Sequence, residues 1–408
     1  MHDEVLVTNG DNVPIGYLIF RRARGIEWQE FKYTESWIEK GRQIDPEIPL
    51  FEGVHRSASF EFGCFSDAAP DSWGRALIKL YTKERKNRDS LFASGYLLSV
   101  SDRYRIGDFR FFDLNNHLIL TFDYDIPKTK DLSSFQLLIE KFQKGESIKD
   151  DDFLNILGSG SSLGGARPKL SIINPDSTLW LAKFTSVHDV YDNPAREALS
   201  LYLAKSCLPN VPDFKLIQVS ENKSVVLIKR FDRNGTKRIP YLSAKTFLRA
   251  QDGVSIDFSY LDIAEIIEST AYNTAKRDLV ELFKRLVFNV LIGNKDDHLR
   301  NHGFLYIEGG WRLSPVFDLE ISPEKFSHAL ALDDTGSLTC SLEKILQTSE
   351  YYGLSRDEGR SLILGISDIV FDWETAARKI GISARSIKLM PRYDRYVKEV
   401  KQLKSAHI

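Results

Sequence analysis

The sequence predicts an α+β protein of two lobes, on three observations. Short runs of β-branched and aromatic residues mark the first part of the chain, and helical spacing of apolar residues takes over after about residue 244. Between them, a Gly/Ser-rich loop precedes a strand hairpin. The division expected is a strand-plus-helix subdomain over 1–120, a lobe built around the glycine-rich loop over 121–243, and a mostly helical lobe over 244–408.

In the first segment, Val5–Val7 and Ile15–Phe20 are strand-like. Helices are expected over Asp71–Tyr81, with Asp71 and Ser72 as candidate caps behind Pro70, and over Ser90–Val100. Phe109–Phe112 returns to strand. Phe135, Leu137, Leu138 and Phe142 recur at helical spacing, and the polar stretch Gln143–Asp152 is expected to be a linker. After the loop Gly158–Gly165, strands Lys169–Ile173 and Leu179–Phe184 flank the turn sequence Asn174–Ser177. A helix over Ala195–Ala204 and a strand over Lys223–Lys229 follow. The best helix is Leu279–Ile292, with Leu279, Leu282, Phe283, Leu286, Val287 and Val290 on one face and Gly293 placed to end it. Phe304–Ile307 and Trp311–Leu313, joined at Gly309-Gly310, make a second hairpin.

Composition narrows the function classes. Lys+Arg is 55 and Asp+Glu is 57 in 408 residues, a net charge of −2, so no global basic excess points to nucleic acid. The N-terminus Met-His-Asp-Glu-Val lacks the basic and apolar regions of a secretory signal, and no apolar run is long enough to span a bilayer. Cys64, Cys207 and Cys340 lie far apart, which suits neither a disulfide framework nor a metal site. The expectation is a cytoplasmic protein with no membrane partner.

Five features then occur in one order. The loop Gly158–Lys169 offers backbone N–H groups that can wrap phosphate oxygens, although a flexible surface loop is the commoner meaning of such a segment. Lys183 follows on the returning strand, flanked by apolar residues, where a nucleotide phosphate could partner its ammonium; a strand-edge lysine with its amine in water is the plainer alternative. Glu197 lies early in the next helix, where the helix dipole alone would favour it. Asp296 and Asn301 fit Asp-x-x-x-x-Asn, the kinase catalytic-loop spacing in which Asp takes the substrate hydroxyl proton and Asn binds metal. In that loop His298 is expected to be a core histidine satisfied by backbone rather than a proton carrier. Phe317-Asp318 comes last, after the hairpin, where kinases place a metal-binding aspartate. The succession is much less frequent by chance than any one member.

At these residues the chain resembles the HipA family of bacterial toxin kinases, serine/threonine kinases of type II toxin–antitoxin systems. The phrases are Ser161–Lys169, Arg230-Phe-Asp-Arg233, Leu291–Asn301 and Leu313–Asp318, with Ala69-Pro-Asp-Ser72 resembling the family's leading subdomain. The resemblance implies a protein-kinase-like fold and the cofactors ATP and Mg2+. It implies that Gly164, Gly165, Ala166, Arg167, Pro168 and Lys169 cradle the triphosphate and that Lys183 contacts it. Lys229, Arg230 and Phe231 would form the hinge beside adenine, with Lys229 standing where the family often has an acidic residue. Asp296 would be the base, His298 and Asn301 would line the loop, and Asp318 would hold Mg2+; Ser162 falls where the family autophosphorylates. The implied partners are a helix-turn-helix antitoxin (HipB-like), operator DNA through it, and an aminoacyl-tRNA synthetase as the best-known substrate type. The alternatives are a small-molecule kinase of the aminoglycoside or lipid type, and a silent pseudokinase acting as a DNA-bound co-repressor.

Overall fold

Alternating burial builds the first sheet. Strand β1 (Glu4–Thr8) turns Val5 and Val7 inward, and β2 (Pro14–Ala23) does the same with Ile15, Leu18 and Phe20. With β3 (Ile26–Tyr33), β4 (His55–Arg56) and β5 (Arg110–Phe112) they form an antiparallel sheet in the order β4-β3-β2-β1-β5. The structure is a computed structural model. It describes residues 3–86, 91–119, 131–160, 167–220, 223–251, 253, 257–271, 273–321, 327–336, 338–390 and 396–405. The chain forms two compact units, Met1–Val187 with Lys229–Arg249, and His188–Ile228 with Ala250–Ile408.

Strand β3 lies where no strand was expected. Its inward residues are Glu27, Gln29, Phe31 and Tyr33, so half of the buried face is polar and hides the period-2 signal. Glu27 accepts bonds from the backbone N and the hydroxyl of Ser94 at 2.8 and 2.7 Å, and Gln29 Oε1 accepts Phe62 N at 2.9 Å. Those bonds, with Arg22 2.8 Å from Glu27, offset the desolvation of Glu27 and of the Gln29 carbonyl, while Gln29 Nε2 is buried without a partner among the described residues.

Helices Ser72–Lys86, Ala93–Ser99 and Leu132–Gln143 follow, each near its expected position. The expected linker is corrected in part: helix Asp150–Ser159 begins within it and takes in Gly158 and Ser159, where the sequence predicts loop. Phe153, Ile156 and Leu157 are buried at helical spacing, and burying that stripe outweighs the low helix propensity of Gly158.

The hairpin of β6 (Lys169–Ile173) and β7 (Leu179–Phe184) is present in the expected place, with Ile173 opposite Leu179 and Lys169 opposite Lys183. Ser177 takes φ +65° in the turn, and Asn174 N bonds Thr178 O at 3.0 Å. The returning segment Lys229–Arg249 is fastened to the first subdomain by buried charge. Asp232 pairs with Arg230 at 2.6 Å and accepts Gly107 N at 2.9 Å. Asp67 accepts Ser243 Oγ and Thr246 Oγ1 at 2.8 and 2.7 Å.

In the second unit, β8 (Phe214–Ser220) and β9 (Lys223–Lys229) pair antiparallel, with Phe214 opposite Ile228. Strand β8 was not expected, because its residues are half-buried to exposed and carry no clean alternation. Helix Asn193–Ala204 is capped by Asp192. The core element is helix Ala275–Ile292, buried along most of its length and packed on helices Tyr260–Thr270 and Arg356–Phe371. Gly293 ends it at φ +72°, in the left-handed region that lets the chain turn out of the helix. Strands Gly303–Ile307 and Gly310–Leu313 form the second hairpin, with Glu308 and Gly309 both at positive φ as a tight mirror-type turn demands. No described helix is long and apolar enough to cross a membrane.

Candidate active site

Each unit carries part of the residue set singled out in the sequence. In the first unit, Ser162, Gly164, Gly165 and Ala166 lie outside the described residues, while Arg167, Pro168 and Lys169 are described. Lys169 is 2 % exposed, and its ammonium lies 2.8 Å from Asp71 Oδ2. The other Asp71 oxygen accepts Gly74 N at 2.6 Å, capping the Ser72 helix. Lys183 is half-buried on β7, on the same face of the ladder as Lys169.

Of the expected hinge residues, Lys229 and Phe231 are half-buried, and Phe231 packs on Tyr241 with ring centroids 6.2 Å apart. Arg230 is buried, and its guanidinium is shared between Asp232 and the carbonyls of Tyr104 and Arg105. Burial pushes the Asp232 carboxyl upward, but Arg230 and Arg233 outweigh it and hold the group at about 2. The Arg230 side chain thus ties the segment into the fold, and a hinge contact would fall to its main chain.

In the second unit Glu197 is 8 % exposed on helix Asn193–Ala204. The loop after Gly293 is built outward from a buried polar cluster. Asn294 N bonds Asn289 O at 2.9 Å, and Asn294 Nδ2 donates to Asn289 Oδ1 at 3.1 Å. Asn289 Nδ2 donates to Asp297 Oδ2 at 3.0 Å and to Tyr260 Oη at 3.1 Å. Tyr260 donates its hydroxyl to Asp297, and His302 Nε2 lies 3.0 Å from the other Asp297 oxygen. Burial raises the Asp297 carboxyl, yet His302 and Tyr260 together hold it below the usual carboxylate range. Burial and the neighbouring Asp297 charge push the Tyr260 hydroxyl well up, so it stays a proton donor.

Asp296 differs from its neighbour. It is half-buried where Asp297 is 4 % exposed, and its carbonyl accepts Asn301 Nδ2 at 3.0 Å. That bond fixes the orientation of the Asn301 amide. Asn294 Nδ2 also reaches Asp318 O at 3.5 Å, the outer limit of a hydrogen bond, so loop and Asp318 segment are neighbours. Asp318 takes φ +52°, unusual for a residue with a Cβ. The segment before it is held at Ser314 O by Arg285 at 2.6 Å and at Val316 N by Asn210 O at 3.0 Å. The expectation for His298 is corrected: its Nδ1 is buried without a hydrogen-bond partner among the described residues. The residue precedes the short turn Leu299–Asn301, and its carbonyl is engaged there by Asn301 N at 2.8 Å.

Sequence reasoning passed over Tyr260, Asn289 and Asn294. A lone asparagine within the apolar run of helix Ala275–Ile292 was the available signal, since a buried amide needs partners. Among the described residues no group of three or more His, Cys, Asp or Glu could hold a metal ion. Asn301 and Asp318 each carry a side-chain oxygen of the kind a hard cation such as Mg2+ takes beside water and phosphate.

Comparison with known proteins places this arrangement. Residues 161–404 match the family model described as the HipA-like C-terminal domain. The chain belongs to that family. A HipA relative from Shewanella oneidensis, named as a serine/threonine-protein kinase toxin, is 25% identical over 345 residues, covering 74% of this chain and 73% of the relative. The solved structure of HipA from Shewanella oneidensis MR-1, in a complex with HipB and its operator DNA, superposes with a TM-score of 0.69 at 18% identity. That match covers 98% of this chain and 99% of the other. The fold is therefore the HipA fold: α+β and kinase-like, with a strand-plus-helix N-terminal subdomain and a mostly helical C-terminal part. The HipA-family match spans the catalytic-loop phrase and Asp318, and the fold likeness extends to the N-terminal sheet.

Proposed function

We propose that this HipA-family chain is an ATP- and Mg2+-dependent serine/threonine protein kinase acting as a toxin, with Asp296 as the base. The observation that carries the reading is the division of labour between adjacent acids. Asp297 is buried and committed to Tyr260, Asn289 and His302, so it anchors the loop, while Asp296 keeps partial access to solvent. A base must reach the hydroxyl it deprotonates, and of the two acids Asp296 has that access. Asn301 and Asp318 would hold Mg2+, which would neutralise phosphate charge in phosphoryl transfer. Arg167, Pro168, the Lys169 main chain and the preceding glycines would cradle the triphosphate, with Lys183 on its phosphates and Lys229–Phe231 beside adenine.

The regulatory half of the reading follows the relatives. A HipB-like antitoxin would silence the kinase on operator DNA, autophosphorylation at Ser162 would switch it off, and a translation component such as an aminoacyl-tRNA synthetase would be its substrate. The solved Shewanella complex, in which HipA is assembled with HipB and operator DNA, supports the first of these.

The test is phosphate transfer to proteins of a cell extract by wild type, Asp296→Asn and Asp297→Asn, each also melted with and without Mg-ATP. Asp296→Asn should lose transfer and keep its nucleotide-induced rise in melting midpoint. Asp297→Asn should melt lower without ligand. Full transfer by Asp296→Asn would reverse the assignment. Transfer to small molecules but to no protein would favour the aminoglycoside-type alternative.

A further inference from the structure

Both ends of the glycine-rich segment touch the same turn of one helix in the N-terminal subdomain. On the C-terminal side, Lys169 Nζ pairs with Asp71 at 2.8 Å, and Lys169 O accepts Trp73 Nε1 at 3.1 Å. On the N-terminal side, Gly160 lies so close to the Ser72 helix that an added Cβ would stand 2.8 Å from Leu77 Cδ1 and 3.1 Å from Trp73 Nε1. The Asp71 and Lys169 side chains are only 5% and 3% exposed. Trp73 is itself fixed, with its ring edge-on to Phe142 at 5.4 Å and 4 % exposure. Asp71 therefore does two things at once: one oxygen caps the Ser72 helix through Gly74 N, and the other takes the Lys169 ammonium.

We propose that Asp71 and Trp73 are positioning residues for nucleotide binding, fixing the two stems of the phosphate loop from outside the kinase-like core. The inference rests on the ATP-binding reading above and adds to it a role for the leading subdomain. A loop that wraps phosphates with backbone N–H groups has to present them in one geometry. Glycine supplies the close approach but no rigidity of its own. Rigidity must come from where the loop begins and ends. A buried ion pair is a demanding fastener, because losing either partner strands the other charge out of water. The indole bond adds a second constraint, on the Lys169 main chain, that no charge substitution removes.

The decisive variant is Trp73→Phe, which keeps an aromatic ring against Phe142 and deletes the indole N–H. Asp71→Asn is the second, and Asp71→Glu the conservative control. In Trp73→Phe the KM for ATP should rise roughly tenfold, about what one lost hydrogen bond can produce, while kcat at saturating ATP stays near wild type. Asp71→Asn should raise KM further, and Asp71→Glu should restore part of the loss. Hydrogen exchange on nucleotide-free protein gives a readout independent of kinase activity. Amides of Gly160 and Leu170–Ile173 should lose protection in Trp73→Phe, with amides of β1–β3 unchanged. A Trp73→Phe protein with wild-type KM and wild-type protection at those amides overturns the inference. If wild type itself fails to bind Mg-ATP in calorimetric titration, the functional reading and the positioning role both fall. If wild type binds and Trp73→Phe binds equally well, only the positioning role does.

Discussion

Lys169 and Lys183 stand directly opposite one another across the β6–β7 hairpin, so two ammonium groups share one face of the ladder. Like charges in that relation repel, and the fold answers with Asp71, which neutralises Lys169 inside the protein. Lys169 is buried and Lys183 half-buried, although the sequence presents both as loop-side cations. Lys169→Met should leave the Asp71 carboxylate buried without its cation and lower stability by about 3–5 kcal/mol. Lys183→Met removes a half-buried charge and should cost less than about 1 kcal/mol, while most of the melting shift produced by Mg-ATP disappears. Thermal unfolding of both variants with and without Mg-ATP separates the two. Equal stability losses would mean that the lysines do the same work.

Asp232 makes the first unit sensitive to acid. Arg230 and Arg233 outweigh burial and hold its carboxyl at about 2, below the ordinary value of 3.8. A folded-state value below the unfolded one gives stability that is full above the unfolded value and is lost as pH falls through the folded one. The contribution, about 2 kcal/mol by linkage, should be complete at about pH 6 and fade between about pH 4 and pH 2. Urea unfolding across that range should show Asp232→Asn with a flatter profile than wild type. Parallel profiles would remove Asp232 as the source.

The parts legible in the sequence were those where one physical signal dominated. Helix Ala275–Ile292 shows an apolar face and a terminal glycine, and the Gly303–Leu313 hairpin shows a glycine pair between aromatic runs. Strand β3 was hidden because Glu27 and Gln29 occupy its inward face, and Ser94 and Phe62, distant in sequence, join the Arg22 ion pair on Glu27 in making that burial tolerable. The Asp-x-x-x-x-Asn phrase proposed as the catalytic loop stands out through its spacing. The different burial of Asp296 and Asp297 was not legible, because Tyr260 and His302 reach Asp297 only through the fold. The Asp71–Lys169 pair likewise joins two phrases that the sequence shows apart.

Gly293 sets the exit from the core helix toward Asn294. Its φ of +72° favours glycine, and a Cβ there would meet nothing within 4 Å, so substitution carries backbone strain without a clash. Gly293→Ala should destabilise by about 1 kcal/mol, and Gly293→Asn by less, because asparagine tolerates the left-handed region. Transfer activity should fall in the same order, since Asn294 bonds both Asn289 and the Asp318 carbonyl from this point. Denaturant midpoints and initial rates for the two variants check the order. Wild-type behaviour in Gly293→Ala would show that the exit geometry is not constraining.

Asp318 combines an uncommon backbone with the chemistry proposed for it. At φ +52° a side chain costs strain unless it is of the short polar kind, and aspartate and asparagine are the side chains that visit this region most readily. Asp318→Asn therefore keeps the backbone preference and removes the charge, whereas Asp318→Ala loses both. Asp318→Asn should melt within about 0.5 kcal/mol of wild type, and Asp318→Ala about 1 kcal/mol lower. Both should lose the part of ATP binding that depends on Mg2+, because an amide oxygen is a weaker donor to a hard cation than a carboxylate. Melting with ATP in the presence of Mg2+ and again in the presence of EDTA isolates that part. In wild type the two shifts should differ, and in Asp318→Asn they should coincide. An Asp318→Asn protein that keeps the full Mg2+-dependent shift would move the metal role to another residue.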